Sequence, residues 1–287
     1  MNLRLSSLAV ITLGVLAGCQ SINFTDVPAE YAVSPNSEQI TDVAEDFEPL
    51  EEAGTDAPQD LGPLEDAGFA AFTSVFGIPV VATSGVSEST ILHVRSVLAD
   101  YLDNNEDGVA DNPRVVFALQ ESKAVAAVFE TFAEYEGFDD RDGYRAARPY
   151  ELITMMQEET NTPYGFDASL EEVLHLVTQW GFSLAYPEEL GESGDTGLVR
   201  ALEEAQDTGD YFYDDPSCGP RCQATEYFYW AITSNMGLQE QRCEEISQEW
   251  ALCDPKQLAE RNPAFVELLE STEFQLPTVS PDGRYEP

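Results

Sequence analysis

Between Ser169 and Trp180, apolar residues recur at helical spacing. Leu170, Val173, Leu174, Val177 and Trp180 fall on one arc, with Glu171, His175 and Thr178 on the other side. The pattern alone leaves open whether that polar side meets water or a cleft. Thr225 to Met236 behaves differently: it is apolar and aromatic almost all round, which predicts a buried helix stopped by Gly237, yet it contains one carboxylate, Glu226. A third helix is predicted from about Glu88 to Leu102, with Ile91, Val94, Val97, Leu98, Tyr101 and Leu102 along one side. Strand signals are fewer: Val75–Val81, where Pro79 argues for an edge or a bulge, and Leu152–Met156. Residues 114–135 read as mixed, and beyond Ser169 the pattern is mainly helical. The sum is an α+β fold with a few-stranded sheet, a helix-rich C-terminal half and no internal repeat.

The N-terminus carries an address. Arg4 gives a positive start, Leu8–Leu16 is an apolar run too short to span a bilayer, and Leu16-Ala17-Gly18-Cys19 resembles a bacterial lipobox. That resemblance implies a signal peptide over residues 1–18 and a mature chain that begins at Cys19 with acyl chains such as palmitate. Such a chain is anchored to a membrane and does not span it. Gln20 in place of aspartate points, through the same resemblance, to the outer membrane if the cell is Gram-negative. Residues 19–66 lack lysine and arginine, are acidic and show little apolar periodicity, which predicts an extended, self-repelling tether. Residues 67–287 are long enough for one domain with a substantial core.

Fifty-four acids against 13 lysines and arginines give a net charge of -41. So acidic a surface repels phosphate backbones, which excludes nucleic acid as a partner and leaves solubility in salt or cation binding as its use. With Cys19 committed to lipid, four cysteines remain in an oxidising compartment, and they allow three pairings. Cys218 with Cys222 and Cys243 with Cys253 are the local ones and are preferred, because each closes a short loop flanking a predicted helix. A zinc site of all four is the competing reading, although their spacing is unlike paired CxxC knuckles.

Asp103-Asn104-Asn105-Glu106-Asp107-Gly108-Val109-Ala110-Asp111 places oxygen side chains at alternate positions, with a glycine where the chain must turn. That spacing suits a hard cation held by Asp103, Asn105 and Asp107 through side chains, Val109 through its carbonyl, and Asp111 directly or through water. The segment resembles the start of an EF-hand loop, and more closely the calcium loops of thrombospondin type 3 and dockerin repeats. Arg114 stands at the twelfth position in place of the bidentate glutamate, so the expected role is a weak structural calcium site, roughly 0.1 to 1 mM.

Glu171 and His175 are four apart, so on a helix they offer an oxygen and a nitrogen from one face, with Glu172 beside them. The run Glu171-Glu172-Val173-Leu174-His175 resembles the HExxH helix of zincin metallopeptidases with its first histidine replaced by glutamate. Glu226 stands where the gluzincin branch supplies a ligand from a second helix. The resemblance implies a zincin-like fold and hydrolysis of an amide in a protein or peptide. Glu171, His175 and Glu226 would hold Zn2+ or another divalent transition metal, with Glu172 activating water and Tyr227 or Tyr229 steadying the oxyanion. Two carboxylates and one imidazole form a harder set than most zinc sites and are open to manganese or iron. His93, on the margin of its helix's apolar arc, would add a second nitrogen if it reached the site. Other readings stay open. Ser169 and Glu172 fit a capping box, and Glu226 could sit in a first turn behind Thr225 or pair with Arg221. Glu172 and His175 also match the ExxH of ferritin-like di-metal proteins, but Thr90 stands three residues before His93, where the second copy needs a glutamate. The alternative to an enzyme is a non-catalytic, calcium-stabilised binding or envelope lipoprotein on the same fold.

Overall fold

A computed structural model describes residues 61–139, 143–161 and 166–287; the leader, Cys19 and most of the tether lie outside the described residues. The fold starts earlier than the expected boundary at 67: helix α1 (Gly62–Ala67) already belongs to it, because Leu64 is fully buried beside Phe69 and Phe138. Strands β1 (Ala71–Val75) and β2 (Ile78–Ala82) form an antiparallel hairpin where the sequence pattern showed a single strand. Phe76 and Gly77, at φ 49° and 72°, make its two-residue turn, in the conformation that matches strand twist. β2 then pairs in parallel with β3 (Ala124–Phe129), and β3 with β4 (Glu151–Met156), in the order β1-β2-β3-β4. Pro79 lies opposite Ser74, ahead of the Val80–Ala82 stretch that pairs with β3, so the β3 ladder does not need the N–H it lacks.

The sheet is covered on both faces, which is why β2 and β3 read as unbroken apolar runs. Val80, Ala82, Ala126, Val128, Ile153 and Met155 face the larger core, with α2 (Glu88–Leu102) and α3 (Pro113–Glu121). Val81, Val125, Ala127 and Phe129 face the smaller one, with α1, α4 (Phe132–Asp139) and α5 (Gly143–Ala147). The resulting mixed α and β content is the α+β class expected from the sequence. α2 forms over the predicted range, and its six predicted core residues are buried.

α6 (Ala168–Leu176) packs against β3, β4, α2 and α9 (Pro220–Asn235). Its N-cap is Asp167, whose Oδ1 accepts from the Ser169 amide at 3.0 Å and the Ser169 hydroxyl at 2.7 Å; the box of Ser169 and Glu172 does not form. Two ties from α2 fix this end: His93 Nε2 donates to Asp167 Oδ2 at 2.6 Å, and the Tyr101 hydroxyl donates to the Leu170 carbonyl at 2.7 Å. After His175 the rod continues through a π-helical segment, Val177–Phe182, into α7 (Ser183–Ala185). Gly181 lies there against α3, where a Cβ would come within 2.8 Å of Val115 Cγ1. Inserted π turns recur at functional sites.

The remaining helices, α8 (Gly197–Thr208), α10 (Cys243–Ile246), α11 (Pro255–Arg261) and α12 (Pro263–Leu269), complete the helix-rich half. α9 runs through their core and is buried from Ala224 to Ser234. It starts at Pro220, not at Thr225. Proline in the first turn loses no helical hydrogen bond. Both local disulfides form, Cys218–Cys222 across that start and Cys243–Cys253. They favour an extracytoplasmic address. No helix among the described residues is long and apolar enough to cross a membrane.

Replacing Asp167 with alanine removes the cap of α6 and should lower stability by about 1 kcal/mol at neutral pH in a denaturant titration. Burial works against the Asp167 carboxylate, but hydrogen bonds from His93 and Ser169 hold it below its ordinary 3.8. A depressed folded value means that the stabilisation is complete above 3.8 and is lost as pH falls through the lower folded value. The gap between wild type and variant should therefore narrow in acid.

Candidate metal centre

Glu171 and His175 leave α6 one turn apart, on the side that α9 covers; the polar arc thus meets α9 and not bulk water. Glu226 faces them from α9. His175 Nε2 lies 3.5 Å from Glu226 Oε2 and 3.8 Å from Glu171 Oε1, and one ligand atom from each of the three lies within 4.8 Å of the others. A single small ion draws its ligands to about 2.0–2.2 Å, so they need to close in by only about 1 Å. His175 and Glu226 are each 3% exposed, and the Glu171 side chain is 27% exposed, which makes Glu171 the ligand nearest solvent. Among the described residues this is the group of three or more such side chains able to share an ion.

Glu226 lies well beyond the first turn of α9, so the unpaired amides and positive end of the helix do not reach it. Arg221, its other expected partner, donates through Nε to Glu192 Oε2 at 2.9 Å. The electrostatics of the cluster show a shortage of positive charge. Burial works to keep His175 neutral, yet the carboxylates of Glu226, Glu171 and Glu172 outweigh it and raise the imidazole well above its ordinary range. Glu172 is pushed up to about 8, first by burial and then by Glu171 and Glu226, while His175 pulls the other way. Among the described residues its enclosed Oε2 has no hydrogen-bond partner, and neither has His175 Nδ1. Burying carboxylates together is expensive, and a cation bound among Glu171, His175 Nε2 and Glu226 would offset their charge. Two carboxylates and one imidazole so placed could hold a metal ion.

Of the tyrosines, Tyr229 reaches the cluster: its ring lies 5.5 Å from that of His175, and its hydroxyl accepts from Gln239 Nε2 at 3.2 Å. Tyr227 does not. It faces another side of α9, among Tyr211, Trp250 and Phe265, and its hydroxyl accepts from Asn262 Nδ2 at 2.9 Å, so its expected oxyanion role is corrected. His93 is bound to Asp167 and holds α6 in place without joining the ligands.

In the 103–111 loop, Asp103 Oδ1 accepts from the Asp107 amide and Oδ2 from the Gly108 amide, while Asp107 Oδ1 accepts from the Val109 amide. Asp111 accepts from the Asn104 amide and from Asn105 Nδ2. Asp103, Asp107 and Asp111 do not draw together as the glutamates do. The C-terminal segment closes over the loop. The Asn104 side chain meets Val279 N and O at 2.8 Å, and the Tyr285 hydroxyl donates to Asp103 Oδ2 at 2.5 Å.

Two further carboxylates attend the cluster. Glu249 accepts from Trp230 Nε1 at 2.8 Å and is raised to about 7 by burial, with Glu226 and Glu171 adding to the rise. Glu192 is raised by burial, with Arg221, Thr225 and His175 pulling it back. Neither lies in a run whose periodicity marks it, so the sequence held no signal for them.

No protein-family model, curated protein or solved structure matches the chain.

Proposed function

We propose that this chain is a lipid-anchored, extracytoplasmic, metal-dependent hydrolase acting on amide bonds of proteins or peptides, with a zincin-like arrangement of its two metal-bearing helices. The observation that carries the reading is the convergence of Glu171, His175 and Glu226, one ligand atom from each lying within 4.8 Å of the others. Glu171, His175 and Glu226 would hold the ion. A divalent ion bound there supplies Lewis acidity toward a carbonyl and toward water. Glu172, next in sequence to the ligand Glu171 and within the field of the same cluster, would take the proton of the attacking water and pass it to the leaving amine. Tyr229 steadies the developing oxyanion: its hydroxyl already accepts from Gln239, so its own proton is left to donate.

One observation favours a second reading, a non-catalytic binding or envelope lipoprotein: His175 and Glu226 are so deeply buried that an ion there could be purely structural. Elemental analysis of chelator-free protein should give about one divalent transition-metal ion per chain, lost in His175→Ala and Glu226→Gln. Glu172→Gln separates the readings. The hydrolase keeps its metal but loses turnover of a peptide library by about 100-fold or more, whereas a structural site leaves any such activity absent in both proteins.

For the 103–111 loop we propose a weak structural calcium site, supported by its alternating oxygens. Millimolar calcium should raise the melting temperature, Asp107→Ala should abolish the gain, and an unchanged melting temperature with and without chelator removes the proposal. The anchor is tested by intact mass. Mature protein should begin at Cys19 and carry acyl chains, and Cys19→Ser should release it from membranes.

A further inference from the structure

The two ligand-bearing helices belong to different parts of the chain, and something must hold them in register. The segment after α7 does so. It is folded tightly on itself: the Ser183 hydroxyl donates to the Leu190 carbonyl at 2.8 Å, and the Thr196 hydroxyl donates to the Gly191 carbonyl at 2.7 Å. A Cβ on Gly191 would lie 2.4 Å from the Pro187 carbonyl oxygen, so glycine permits the closure. From this segment Glu192 reaches into the protein, its side chain 2% exposed, and grips the start of α9 twice. Oε2 accepts from Arg221 Nε at 2.9 Å and Oε1 from the Thr225 hydroxyl at 2.7 Å. Thr225 directly precedes the ligand Glu226. The Arg221 guanidinium also lies over the Trp180 ring, 5.4 Å from its centroid, in the π-helical continuation of α6.

We propose that Glu192 is a positioning residue of the metal centre, joining the end of the rod that bears Glu171 and His175 to the turn of α9 that presents Glu226. The inference rests on the metal-dependent reading above. Groups that orient metal ligands from behind typically alter affinity by about 10–100-fold when removed. A carboxylate with two donors, both on one ligand-bearing helix, has the geometry for that role.

The test uses the mature full chain, stripped of metal, as wild type and as Glu192→Gln, titrated with Zn2+ and with Co2+ while the cobalt absorption spectrum and the metal-free melting temperature are followed. Glu192→Gln should remain folded, bind both ions about 10–100-fold more weakly and give an altered cobalt spectrum, since Glu226 is no longer held in place. A merely structural ion pair would lower the metal-free melting temperature and leave affinity and spectrum unchanged, and that result overturns the proposal. Thr225→Val, which keeps the pair with Arg221, should weaken binding by a smaller factor. It decides the question if Glu192→Gln does not fold, and affinity equal to wild type then overturns the proposal. Wild type that binds neither ion overturns the metal-dependent reading itself, and this inference with it; wild type that binds while both variants bind equally well overturns the Glu192 assignment alone.

Discussion

A carboxylate buried on an aromatic helix has to be compensated where it lies. Glu226 lies in the middle of α9, 3% exposed, and its answer in the fold is His175, itself surrounded by Glu171 and Glu172. Without an ion, the group can reduce its excess of negative charge only by holding protons: the imidazole is pushed up, and Glu172 is pushed up to about 8. A buried charged pair of this kind is weak evidence for stability, since well-packed apolar residues in its place often serve the fold as well.

The surrounding structure keeps this arrangement from relaxing. α6 is fixed at its start by Asp167, His93 and Tyr101, and further along by Gly181 pressed against α3. α9 is fixed at its start by the Cys218–Cys222 disulfide and by Glu192, and along its length by Tyr227 and Phe228 packed on Phe265. Ligands carried on helices that are fixed at their starts and packed along their lengths keep their geometry before anything binds, which is how a site of mixed carboxylates and imidazole avoids spreading apart under its own repulsion. The acidity of the chain adds a second level. Its net charge of -41 keeps the surface hydrated and attracts cations, but within the fold the carboxylates that matter are the few shielded from water.

The elements with strong local signals were legible in the sequence. α2 forms over its predicted range because its apolar residues recur at helical spacing and Ser87 caps it. Glu171 and His175 share a face because residues four apart on a helix must, and both disulfides follow from short separations. Boundaries were less legible. The single strand expected around Val75–Val81 is a hairpin, since a turn as tight as Phe76-Gly77 leaves no polar break in an apolar run. α9 begins ahead of Thr225 because a proline in the first turn starts a helix as readily as it ends one.

By itself, the sequence determined which residues could serve as ligands and on which helical faces they stand, because periodicity and side-chain chemistry are local. Only the tertiary structure decided which of them meet. It turned the polar arc of α6 toward α9, drew Glu226 to His175, and sent Tyr227 to the core and Tyr229 to the imidazole. It gave Arg221 to Glu192, a residue from a segment with no periodic pattern. The physical reason is that convergence depends on how helices cross and what clamps them, and those contacts join residues far apart in the chain.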